Sequence, residues 1–84
     1  MYTQPIIELN VHGMRAEEAI KHIQKKINEA GAGVYRIRVI HGYNRGTSIR
    51  SAIREEFDYY GDPKVLRVEM GDNEGITDLI LREY

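Results

Sequence analysis

The chain has 84 residues, 42% of them hydrophobic and 30% charged, with a formal net charge of −1, two prolines and no cysteine. One domain fits this length, and the ordinary hydrophobic content without a low-complexity tract argues against disorder. The absence of cysteine excludes disulfides, thiolate metal sites and cysteine nucleophiles, and no apolar run approaches the roughly 18–20 residues of a membrane helix.

The start, Met1-Tyr2-Thr3-Gln4-Pro5, lacks the basic-then-apolar order of a signal peptide. The expectation is a single domain over residues 1–84 in the cytoplasm, with 1–5 a flexible tail. Ile6 to His12 alternates, placing Ile7, Leu9 and Val11 on one face of a strand and Glu8, Asn10 and His12 on the other. After Gly13 the apolar residues Ala16, Ala19, Ile20, Ile23, Ile27 and Ala30 recur at helical spacing. The spacing predicts a helix over about 15–30, with Glu17 and Glu18 in its first turn, Lys25 and Lys26 toward its end, and Gly31 and Gly33 as its stop. His22 falls on its polar side and reads as solvated.

A second strand is expected at Val34–Ile40, with Ile37 and Val39 opposed to Arg36 and Arg38. A second helix follows at Ser48–Tyr60, with Ile49, Ala52, Ile53, Phe57 and Tyr60 on its apolar stripe, ending before the turn Gly61-Asp62-Pro63. Tyr59, Tyr60 and Tyr84 read as core or edge residues. Strand three is expected at Lys64–Met70, with Leu66, Val68 and Met70 inward. Strand four is expected at Ile76–Arg82 after a polar turn over 71–75, with Leu79 and Leu81 opposed to Asp78 and Arg82. Charged or polar residues at every second place imply a sheet covered on one face only. The fold class is therefore α/β in the broad sense: an α+β two-layer sandwich, β-α-β-α-β-β, whose mixed four-stranded sheet carries both helices on one face. The helix-free face is expected to bear Glu8, Asn10, Arg36, Arg38, Arg67, Glu69 and Arg82.

Between the second strand and second helix runs His41-Gly42-Tyr43-Asn44-Arg45-Gly46-Thr47-Ser48. A glycine-bearing loop entering a helix is a place where an anion can approach the main chain, and Gly42, Gly46, Arg45 and Arg50 are expected to hold a phosphate. The loop is not a P-loop, since no Gly-Lys-Ser/Thr follows, and it lacks the three glycines of the dinucleotide fingerprint. Five of the twelve basic residues and none of the thirteen acidic ones lie between Val34 and Arg54, which gives that segment +5 against −6 for the remainder. Patches of this kind set where a polyanion docks, and arginine suits bidentate phosphate contacts. Arg36 and Arg38 join the expected phosphate contacts, with a solvated face as the alternative. Tyr43 is placed either to stack on a base or to pack over its loop.

His12-Gly13 and His41-Gly42 close two strands that, if parallel and adjacent, end at the same edge of the sheet, where ligands of open α/β folds sit. Two imidazoles flanking a phosphodiester could serve as general base and general acid, which suits metal-free RNA cleavage. Each could equally be a loop residue bonded to backbone. DNA cleavage would call for an activated water, usually on a metal. No carboxylate cluster plainly holds one, so no cofactor is evident and a divalent metal stays open. No Ser-His-Asp set, zinc spacing or EF-hand loop occurs.

These residues resemble the Smr (small MutS-related) family. Leu9-Asn10-Val11-His12-Gly13, with Glu18-Ala19 after it, is similar to the family's Leu-Asp-Leu-His-Gly and following Glu-Ala. Ile40-His41-Gly42-Tyr43-Asn44-Arg45-Gly46 is similar to its His-Gly-x-Gly, and Gly75-Ile76-Thr77 to its Gly-x-Thr, over about 6–82. The resemblance implies a fold like the C-terminal domain of bacterial initiation factor three. It also implies nucleic-acid binding, DNA or RNA, an endonuclease activity present in several members, and a ribosome-associated or DNA-repair partner, through which a non-catalytic interaction module is the alternative. Asn10 stands in place of the family's aspartate, which bears on any catalytic part it shares with His12 and His41. Asn44 stands in place of the second glycine, in a loop one residue longer. Binding survives these changes more readily than cutting.

Overall fold

In the computed structural model, residues 5–43 and 47–83 are described, Thr47 by its backbone alone. Residues 1–4 of the tail expected over 1–5, the loop residues Asn44, Arg45 and Gly46, and Tyr84 lie outside them. The elements are β1 (Ile6–Asn10), α1 (Ala16–Glu29), β2 (Arg36–Ile40), α2 (Thr47–Ile53) running directly into a π-helical segment (Arg54–Tyr59), β3 (Arg67–Met70) and β4 (Ile76–Ile80).

The sheet order is β1-β2-β4-β3. β1 and β2 are parallel, while β4 is antiparallel to both its neighbours. Ile37, Leu79 and Val68 stand in register across three strands. They share one core with Ile7 and Val39, with Ala19, Ile23 and Ile27 of α1, and with Ile49, Ile53 and Phe57 of the second helical stretch. Both helices therefore cover the same face, and the two-layer α+β sandwich with a mixed sheet stands as the alternation implied.

Several boundaries and exposures differ from the sequence expectation, each for a local reason. β1 stops at Asn10, because the Asn10 Oδ1 accepts the backbone N–H of His12 at 2.9 Å and bends the chain. β3 begins at Arg67 and not Lys64, since Asp62 ties up the preceding stretch: its Oδ1 accepts the Lys64 N–H at 2.8 Å and its carbonyl the Val65 N–H at 2.9 Å. Leu66 and Met70 were expected inward yet are 56% and 60% exposed. Leu66 lies just before the short edge strand and Met70 ends it, at the margin of the area that the helices cover over Val68. The second helix does not stay α-helical to Tyr60. Its last bond runs from the Tyr60 N–H to the Glu55 carbonyl, five residues back; this wider turn rotates Tyr60 off the apolar stripe, and Tyr59 and Tyr60 stand exposed, edge to face with each other.

The largest departure is in β4. As a central strand its residues 77–80 are all buried, including Asp78 on the helix-free face. The Asp78 carboxylate lies between two guanidiniums, Arg36 Nη1 at 2.5 Å and Arg38 Nε at 3.5 Å. Glu8 and Glu69 flank the same two arginines at 4.0 and 3.8 Å, and Arg67 bonds Glu69 and Glu83. Acids and bases thus alternate across the helix-free face and neutralise one another.

Candidate nucleic-acid interface

β1 and β2 leave the sheet at one edge, and the bond from the Val11 N–H to the Ile40 carbonyl, 3.0 Å, carries their pairing up to the two His-Gly turns. In the first turn, the Asn10 side chain holds the His12 backbone. Asparagine and aspartate both make this local bond, so the amide at position 10 keeps the turn that a carboxylate would make. Gly13 follows with φ +85°, and the His12 side chain is left in solvent.

The second turn carries Gly42 at φ +84°. His12 lies directly against it: a methyl group built on Gly42 would stand 2.5 Å from the His12 Cδ2 and 3.2 Å from its Nε2. Glycine is needed at 42 twice over, for its backbone conformation and for the ring seated on its Cα. Behind it, the Gly75 carbonyl accepts both the His41 and the Gly42 N–H, each at 3.0 Å. Gly75 approaches so closely that a side chain there would meet the Gly42 Cα at 3.3 Å.

His41 points the other way. It is 1% exposed, with Nδ1 2.9 Å from the Gly42 carbonyl and Nε2 2.8 Å from the Thr77 hydroxyl. A carbonyl only accepts, so Nδ1 carries the proton and donates, and Nε2 accepts from Thr77. Burial pushes the imidazole pKa below its ordinary value; the Gly42 carbonyl opposes this, and the nearby Arg50 charge adds to it. His41 is therefore a neutral imidazole at neutral pH. The structure brings both predicted histidines to one rim but gives them unlike surroundings: one exposed, one spent on holding the turn.

Arg50 projects from α2 beside a hollow of about 360 Å³ lined by Arg50, Ser51, Arg54, Met70 and Thr77. Tyr43 is 55% exposed at the rim. Arg36 and Arg38, expected among the phosphate contacts, lie in the ion-pair ladder around Asp78. Arg45 and Gly46 lie outside the described residues. Sequence reasoning marked Gly75-Ile76-Thr77 only as a family likeness, without its bracing role, and gave Asp78 no functional part. The adjacent apolar residues Leu79 and Ile80 were the available signal that β4 is buried on both faces. Among the described residues no three His, Asp or Glu side chains gather as metal ligands would, and no helix is long and apolar enough to cross a membrane.

A two-layer domain with two His-Gly turns at neighbouring parallel strand ends, braced by a Gly-x-Thr strand entry, is the class this geometry defines. Residues 9–77 match the sequence model of the Smr domain, and with most of its length matched the chain belongs to the Smr domain family. Its fold is similar to that of the Smr domain of Thermus thermophilus MutS2, with a TM-score of 0.79 and 28% identity over 92% of this chain and 99% of that one. No curated protein matches the sequence.

Proposed function

We propose that this Smr domain binds nucleic acid, DNA or RNA, along the rim formed by His12, Gly42, Tyr43 and Arg50. The observation that carries the reading is the seating of an exposed imidazole on the bare Cα of Gly42, beside an exposed tyrosine and at the entry to an arginine-bearing loop. Backbone and imidazole N–H groups suit phosphate oxygens, and the tyrosine ring suits a base. Labelled single-stranded and branched oligonucleotides titrated by fluorescence anisotropy test it. Wild type binds, and a His12→Ala, Tyr43→Ala double variant loses most of the affinity; equal binding by the two proteins refutes the site.

Cutting, in this reading, falls to His12 alone. A pair of imidazoles exchanging protons with substrate needs two free ring nitrogens, and both nitrogens of His41 are bonded within the protein. For RNA, His12 would take the proton of the ribose 2′-hydroxyl as that oxygen attacks the phosphorus and the bond to the 5′-oxygen breaks. The imidazolium then gives the proton to the departing 5′-oxygen; for DNA an attacking water takes the place of the hydroxyl. Incubation of labelled RNA and nicked DNA with wild type and His12→Ala, with and without EDTA, tests this: cleavage unaffected by His12→Ala sinks it.

A further inference from the structure

The charged segment from Val34 to Arg54 is redistributed by folding. Arg36 and Arg38 are consumed by Asp78, Glu8 and Glu69 on the helix-free face. Among the described residues the contacts of Arg54 are long, 3.5 Å to the Asp58 carboxylate and 3.4 Å to the Val68 carbonyl. Among the described residues no carboxylate pairs with Arg50, which faces the hollow between α2 and the ends of β3 and β4. Two guanidiniums one helical turn apart line this hollow together with Ser51, and Thr77, whose hydroxyl is engaged by His41, lines it from β4. Met70 supplies an apolar wall that is 60% exposed. The volume, about 360 Å³, lies toward the small end of ligand sites, roughly 300–1,000 Å³.

We infer that this hollow receives one unpaired nucleotide of the strand lying on the rim, its phosphate between Arg50 and Arg54 and its base against Met70. The inference rests on the proposed nucleic-acid reading and adds a preference for single strands. Arginines at adjoining turns can hold phosphate oxygens from two sides. A soft thioether makes a favourable contact with an aromatic ring, and a base paired and stacked in a duplex has no free face to offer it.

The test follows the methyl resonance of Met70 and the backbone amides of His12 and Gly42 in the full chain during titration with a short single strand, as RNA and as DNA, and with a duplex of the same sequence. The expected result is movement of the Met70 methyl with the single strand and not with the duplex. In parallel, Met70→Ser lowers single-strand affinity by about two- to ten-fold, the range a sulfur–ring contact supplies, and leaves duplex affinity unchanged. A Met70 methyl that stays still while His12 and Gly42 respond overturns this inference and leaves the rim reading standing. A methyl that responds equally to duplex overturns the preference for unpaired bases. No response at either place overturns both readings.

Discussion

The Nε2 of His41 lies 2.8 Å from the Thr77 hydroxyl, and through that bond a central strand fixes the turn on which His12 rests. Thr77→Val keeps the shape and removes the donor, leaving a buried imidazole nitrogen without a partner. The expected loss of stability is about 1–3 kcal/mol, read from urea unfolding, with Thr77→Ser recovering most of it. A valine variant as stable as wild type would show that the bond contributes nothing.

His41 also sets a pH dependence. Its pKa is depressed in the folded state relative to about 6.5 in the unfolded chain. Below that value the unfolded state binds more protons, so stability from this group is fully present above about pH 6.5 and is lost as pH falls toward the folded value. Unfolding midpoints taken between pH 7.5 and about 5.5, above the range where carboxylates titrate, should fall for wild type and stay flatter for His41→Asn. Identical pH profiles for the two proteins would contradict the assignment of a buried neutral ring.

Gly42 and Gly13 share φ near +85° but differ in surroundings. Among the described residues a methyl at Gly13 meets nothing within 4 Å, whereas at Gly42 it strikes His12. Alanine at either site costs about 1–2 kcal/mol for the left-handed backbone, and Gly42→Ala costs more. His12→Ala should relieve the excess at position 42 and not at 13, which a double-mutant cycle measures directly. Additive effects at position 42 would mean that the ring does not rest there.

Asp78 is the keystone of the helix-free face. Asp78→Ala strands two guanidiniums that are themselves only 25% and 23% exposed, and the expected loss lies toward the lower end of roughly 3–5 kcal/mol. A domain of this size is stable by roughly 4–13 kcal/mol, so thermal unfolding should show a large drop in midpoint. A shift within error of wild type would leave the ladder without structural weight.

Most of the architecture was legible in the chain because strand alternation and helical periodicity follow from burying one face of each element. Ile7, Ile37, Val39 and Leu79 sit where that pattern puts them. The pattern does not encode strand order. Nothing local to Ile76–Arg82 names β2 and β3 as the neighbours of β4, yet insertion between them buries Asp78 and turns Arg36 and Arg38 into its partners. The exposure of Leu66 and Met70 comes from the same source, since an edge position is a property of the whole sheet. At the rim, the repeated His-Gly placed both histidines at one edge. Ring direction depended on Gly75 and Thr77, 33 and 36 residues away from Gly42 and His41 in the chain, and could not be read from the dipeptides themselves.

The claim that the rim, and not the helix-free face, meets nucleic acid is tested most directly by the salt dependence of oligonucleotide binding in Arg50→Gln and Arg67→Gln. Removing one arginine that neutralises a phosphate should lower the slope of log K against log salt by about one. Arg50→Gln is expected to weaken binding and lower the slope by that amount, while Arg67→Gln, whose charge is held by Glu69 and Glu83 on the far face, leaves both unchanged. An unchanged slope in Arg50→Gln, or an equal weakening in the two variants, would contradict it.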